Sequence, residues 1–206
     1  MHKIDKEKEE EQLKFLLEFL SYTKNYCVSM IDIVGSTRTV MNLPVKKVSM
    51  YYSIFLNKMA NIANSFGAII VKNIGDSLLY YYPNTETGEE KYFRDVFECS
   101  LTMLNKRQEL NSYLSMEELP EINYRISAEY GYVVIARLST SSVNDMFGST
   151  INICSKINSL AKPNTFIIGE QLYDRAKIFK EYKFTEVNSN IQDYHAYLVS
   201  RENLNP

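Results

Sequence analysis

"FGAIIVKNIGDSLLYYYP", Phe66 to Pro83, places two runs rich in β-branched and aromatic residues on either side of a Gly-Asp pair. Such a pattern reads as a β-hairpin with its tip at Gly75-Asp76, because a tight hairpin loop needs a residue that tolerates positive φ. Upstream, Pro44 suits the first turn of a helix running to Ser65, with Val48, Tyr51, Tyr52, Phe55, Met59 and Ile62 along one side. Before that helix, Tyr26 to Val34 alternates enough to be a strand ending at Asp32. After the hairpin come a polar loop from Thr85 to Lys91, a second long helix from Phe93 to Tyr113, and a strand-like run from Tyr124 to Leu138. The order strand, helix, hairpin, helix, strand predicts an α+β fold with a ferredoxin-like βαββαβ core.

The rest of the chain extends that core. Ser139 to Val143 is a Ser/Thr loop, and Ser149 to Leu160 carries Ile151, Cys154, Ile157 and Leu160 at helical spacing. Thr165–Ile168 reads as a short strand, Gln171–Phe179 as a helix and Asp193–Ser200 as a last strand, which together make a C-terminal αβ extension. At the other end, Leu13, Leu16, Leu17 and Leu20 predict an amphipathic helix over Lys6 to Lys24. That helix is expected to pack on the domain or to pair with another copy.

Composition narrows the chemistry. The 206 residues suffice for one medium domain with a real core, and 45% hydrophobic content fits a soluble globular class. A net charge of -2 and a pI of about 5.8 imply no basic surface for nucleic acid. Cys27, Cys99 and Cys154 are scattered and odd in number, which favours reduced thiols and a cytoplasmic setting. With only His2 and His195 present, a His-rich zinc site is excluded. Any metal must be held by carboxylates, which points to Mg²⁺ or Mn²⁺. The sequence carries no 18-residue apolar run, so no membrane segment is expected.

One such carboxylate stands out in "SMIDIVGST", Ser29 to Thr37, where Asp32 ends an apolar run and Gly35-Ser36-Thr37 follows at once. A charge at the end of a buried strand is costly without a positive partner, and a Gly-hydroxyl turn lets backbone N–H groups curl around an anion. In a βαββαβ core the end of the first strand lies beside the hairpin tip, so Asp32 and Asp76 become neighbours. Two converging carboxylates repel unless cations lie between them, and two divalent ions are what a phosphoryl-transfer site needs.

"IDIVGST", "VKNIGD" and "NDMFGSTINICSK" together resemble the catalytic domain of class III nucleotidyl cyclases, the adenylyl and guanylyl cyclases. The resemblance runs from about Tyr26 to Asn158 and weakly to Val199, so the expected organisation is a helix over 1–25 and a cyclase-like domain over 26–206. It implies a homodimer whose sites lie at the interface and draw on both chains. In each site Asp32, Asp76 and the Ile33 carbonyl would hold two Mg²⁺ or Mn²⁺ ions, and the amides of Gly35, Ser36 and Thr37 would face the triphosphate. The other chain would supply Lys72 and Asp145 for the base, while Asn152 would orient the ribose and Lys156 would stand where the family's Arg stabilises charge at the phosphate.

Adenine's edge asks for one donor and one acceptor, which an ammonium and a carboxylate provide, whereas guanine presents the reverse. ATP is therefore the expected substrate. The chain also departs from the family pattern. Lys156 stands where the family has an Arg, "SAEYG" at Ser127–Gly131 replaces a Gly-Ile-His-Thr-Gly-like turn, and "EVNSNIQDYHAYLV", Glu186 to Val199, lacks the Lys the family places shortly before the last strand. The competing expectation is a cyclase-like domain that binds nucleotide without turning it over.

Overall fold

The computed structural model describes residues 18–137, 144–189, 191 and 193–202. It has strand β1 (Glu18–Ile33), helices α1 (Ser36–Val40) and α2 (Val45–Ser65), and the hairpin β2 (Ile69–Ile74) and β3 (Ser77–Tyr82). Helices α3 (Glu90–Asn105) and α4 (Arg107–Met116), then strands β4 (Tyr124–Arg137) and β5 (Asn144–Phe147), follow. The chain continues through helix α5 (Ser149–Leu160), strand β6 (Phe166–Gly169), helix α6 (Glu170–Ala176) and strands β7 (Tyr182–Val187) and β8 (Ala196–Arg201). The sheet runs β2-β3-β1-β4-β6-β8-β7, with β5 paired to β4. Its first four strands have the expected βαββαβ order and are antiparallel throughout.

Two layers of side chains explain why the sheet closes as it does. Successive strand residues point to opposite faces. On β1, Cys27, Ile31 and Ile33 join Tyr51, Phe55 and Met59 of α2 and Phe93, Val96 and Phe97 of α3 in the main core. Tyr26, Val28 and Met30 point the other way, to Leu79, Val133, Met146 and Cys154 of α5. Helix α2 buries Tyr51, Phe55, Met59 and Ala63, one residue every four, which is the stripe its sequence predicts. It stops where Gly67 takes φ 76°, letting the Ala68 and Gly67 amides bond back to the Ala63 and Asn64 carbonyls. The hairpin turns at Gly75, whose φ of 63° at the first loop position suits a II′-type turn.

Several expectations need correction. Residues 18–24, assigned to the N-terminal helix by their leucine spacing, are strand. Glu18 and Phe19 pair with Arg137 and Ala136, and Thr23 onward pairs with Val134 onward, so the β4 ladder takes the backbone hydrogen bonds a helix would use internally. Residues 1–17 of that expectation, and the Ser139–Val143 loop, lie outside the described residues. The long helix over 93–113 is two helices, broken where Lys106 sits at φ -80°, ψ 0°. Strands β5 and β7 and the short helix α1 were not foreseen.

Candidate active site

Asp32 closes β1 on the face that packs against α5, and the sheet register fixes its neighbours. Ser77 lies opposite it on β3 and Arg125 opposite it on β4. The Ser77 hydroxyl donates to Asp32 Oδ1 at 2.5 Å, while Arg125 donates to Oδ2 through Nε at 3.0 Å and Nη2 at 2.9 Å. Side-chain exposure is 17% for Asp32 and 26% for Arg125, so the guanidinium offsets a carboxylate that is largely out of water. Arg125 Nη1 also reaches the Ser159 carbonyl at 3.4 Å, tying the pair to the end of α5. Buried Asn158 adds a second tie, donating to the Met30 carbonyl and to Ser127 Oγ, each at 3.2 Å. Neither Arg125, Ser77 nor Asn158 was singled out from sequence; the visible signal was an Arg second in the strand-like run from Tyr124.

Asp76, beside Gly75 at the hairpin tip, immediately precedes Ser77, so the two carboxylate-bearing segments meet at one corner of the sheet. Tyr51 of α2 backs this corner. Its phenol is pushed up to about 12, chiefly by burial and then by Tyr52 and the Asp76 carboxylate. The Ile33 carbonyl turns to the same side. The Val34 amide donates to the Asn123 carbonyl at 2.8 Å, and adjacent residues of an antiparallel ladder direct their amide groups to opposite edges, so Ile33 faces the hairpin.

The Asp32 carboxylate, the Ile33 carbonyl and the turn that bears Asp76 thus lie at one corner, and oxygen donors of this kind are the chemistry a divalent cation takes. A carboxylate has about four lone-pair sites. Ser77 and the two Arg125 N–H groups engage three at Asp32, which leaves one on Oδ1. Among the described residues no group of three or more His, Cys, Asp or Glu forms an all-protein cage. Mg²⁺ is usually held by one or two carboxylates together with substrate phosphates, so this sparse donor set suits it.

Just beyond lie Gly35, Ser36 and Thr37. Gly35 takes φ 73° and starts α1, whose first turn has no side-chain cap and no acidic residue. The first amides of a helix lack internal acceptors, so the Ser36 and Thr37 N–H groups are suited to an anion.

Lys72 on β2 and Asp145 on β5, 73 residues apart, form an ion pair with Nζ 2.5 Å from Oδ2. Both are partly exposed, and the Met146 amide holds Asp145 Oδ1 at 2.8 Å. Asn152 and Lys156 share the exposed side of α5, whose buried side is Thr150, Cys154, Ile157 and Asn158. Within one chain they point away from the Asp32 corner, because the face of α5 that meets the sheet is the opposite one.

The replaced turn at Ser127–Gly131 yields an unforeseen feature. Glu129 is 1% exposed. Its Oε1 accepts from the Tyr130 amide at 2.7 Å and the Leu172 amide at 3.0 Å, and its Oε2 accepts from the Tyr194 hydroxyl. A side chain at Gly169 would collide with this carboxylate, so the glycine makes its room. Burial pushes the Glu129 carboxyl up to about 7, against the lowering effect of its three donors.

The family model for the adenylate and guanylate cyclase catalytic domain matches residues 20–193, and the chain belongs to that family. It is 22% identical over 186 residues to a cytidylate cyclase of Staphylococcus aureus, covering 86% of this chain and 44% of that protein. It is 23% identical over 145 residues to an adenylate cyclase of Streptomyces coelicolor, covering 70% and 32%. The chain thus spans less than half the length of these curated relatives. Among solved structures, the adenylyl cyclase CyaB from P. aeruginosa superposes with a TM-score of 0.78 at 18% identity, covering 88% of this chain and 96% of that one. A guanylate cyclase domain from Catenaria anguillulae, in complex with GTP, gives 0.74 at 17% identity, covering 86% and 97%. These likenesses establish the fold.

Proposed function

We propose that this domain is an adenylate cyclase, converting ATP to 3′,5′-cyclic AMP and pyrophosphate at sites formed between two copies of the chain. The observation that supports this reading is the pairing of the Asp32 end of β1 with Ser77, next to Asp76 at the hairpin turn, with the uncapped α1 turn beside it. In the proposed reaction the ribose 3′-hydroxyl attacks the α-phosphorus in line, the bond from that phosphorus to the bridging oxygen breaks, and the hydroxyl proton passes to solvent. Two Mg²⁺ or Mn²⁺ ions bound there would supply charge neutralisation and an acidified hydroxyl.

The chain's own residues do the positioning. Arg125 and Ser77 fix the Asp32 carboxylate in one orientation, and the Ser36 and Thr37 amides receive the triphosphate. Lys72 and Asp145 of the second copy read the base. Asn152 and Lys156 of that copy point outward from their own fold, as residues serving a partner's site must. Exposed Tyr132 and Phe147, on the strands β4 and β5, supply apolar surface for such a partner. Lys156 neutralises developing charge at the phosphate, but as a point charge without the bidentate fork of an Arg.

The test is incubation with ATP and Mn²⁺, assayed for cyclic AMP, using the wild-type chain and the folded Asp32→Ala and Asp76→Ala variants. Product from the wild type and none from either variant supports the reading. Normal turnover in either variant overturns the metal assignment, and saturable ATP binding without product favours a nucleotide-binding module.

A further inference from the structure

We propose that residues 193–195, which lead into β8, are a proton-held latch: they stay docked on β4 and α6 while Glu129 and His195 carry protons, and undock as those protons leave. The geometry around Glu129 is that of a neutral acid. Both backbone donors, the Tyr130 and Leu172 amides, converge on Oε1, as they would on a carbonyl oxygen. Oε2 faces the Tyr194 hydroxyl, a group that accepts as well as donates, so a proton on Oε2 has a partner there. Negative charge at this point is opposed. The titratable side chains around it are Cys27 of β1, Cys154 of α5, Glu170 of α6 and Tyr194. Glu170 brings a like charge, while burial pushes both thiols and the Tyr194 phenol up, away from neutrality. Arg175 of α6 sets its guanidinium over the Tyr130 ring, 5.1 Å from the centroid. Gly169 completes the packing, since a Cβ there would overlap the Glu129 carboxylate and approach the Tyr194 hydroxyl.

His195, next in the chain, supplies a second tie at the surface. Its Nδ1 lies 2.6 Å from Oε1 of Glu186 on β7, and that carboxylate raises the imidazole above its ordinary 6.5, with Glu170 adding to the rise. Between the two ties the backbone is pinned locally. The Tyr194 amide donates to the Ile191 carbonyl at 3.2 Å, and the Ser189 hydroxyl donates to the Tyr194 carbonyl. Both groups hold their protons more tightly docked than free, so both favour docking less as pH rises. For Glu129 the value is about 7 when docked, against an ordinary 4.5 once water reaches the acid. Its support is full below pH 4.5, weakens about tenfold per pH unit above that, and levels off beyond about 7, roughly 300-fold in all. For His195 the support is full below 6.5 and fades as pH passes the raised value. The two ties therefore release in the same direction. The latch does not draw on the proposed reaction.

Amide hydrogen exchange from pH 5 to 8, corrected for the intrinsic pH dependence of exchange, is the test. The Leu172 and Tyr194 amides report the latch, and the Phe55 amide, inside α2, reports unfolding of the whole domain. Leu172 and Tyr194 should exchange faster than Phe55 at every pH, and their protection should fall roughly 100-fold across the range. Glu129→Gln has no proton to lose and should flatten most of that fall, and His195→Asn should remove part of the rest. Equal protection at Leu172 and Phe55 would mean release only on global unfolding, which overturns the latch. An undiminished fall in Glu129→Gln overturns it as well. Tyr194→Phe, which keeps the ring but removes the partner of Oε2, should lower protection at Leu172 about tenfold at pH 5, and unchanged protection there counts against the proposal.

Discussion

Replacing Glu129 by Gln tests the energetics of the sheet at its most unusual point. The carboxyl is buried between β4, the start of α6 and Tyr194, and its proton affinity rises from an ordinary 4.5 to about 7. Each tenfold change in proton affinity is worth about 1.4 kcal/mol, so the native state holds this proton more tightly than the unfolded chain by about 3 kcal/mol. The sign follows. Because the native value is the raised one, the stabilisation is fully present below pH 4.5 and is lost as pH climbs through about 7. Gln never ionises, and its carbonyl oxygen still accepts from the Tyr130 and Leu172 amides. Urea unfolding of both proteins from pH 4.5 to 8 should show the variant gaining about 3 kcal/mol relative to wild type across that range. Parallel profiles for the two proteins would refute the claim that the native fold holds Glu129 protonated.

Other perturbations follow from the same geometry. Arg125→Met removes both donors from Asp32 Oδ2 and should lower stability by about 2 kcal/mol, read by urea unfolding; no loss would mean the ion pair does not hold β1 to β4. Lys156→Arg restores a planar fork at the exposed face of α5 and should raise the rate of cyclic nucleotide formation about tenfold, while an unchanged rate would remove Lys156 from the chemistry. Phe55→Ala empties a fully buried position between α2 and Tyr124 and should cost about 3–5 kcal/mol in the same unfolding assay.

How much of this was legible depended on the range of the forces involved. The hairpin and α2 were readable because Gly75 and the four-residue stripe of Tyr51, Phe55 and Met59 act locally. The same holds for α5, whose ends agree with the residues read from the sequence. The leucine spacing before Lys24 misled over 18–24 because pairing with β4, more than a hundred residues away, outweighs local helical preference there. At the candidate site, Asp32 and Asp76 were visible as charges at a strand end and a turn. Arg125 was not, since its partner lies 93 residues away and only the register of β1 against β4 brings them together. Glu129 was legible as a departure in the motif but not as a buried acid, because its donors come from Leu172 and Tyr194.

The length of β1 has a mechanical consequence. Sixteen residues of strand reach from Glu18 to Ile33, about 50 Å at roughly 3.3 Å per residue, with the pairing to β4 shifting register between Phe19 and Thr23. Tension applied at Thr23 therefore travels along an unbroken ladder to the Asp32 end, whereas the irregularity between Phe19 and Thr23 lets the strand bend before that point.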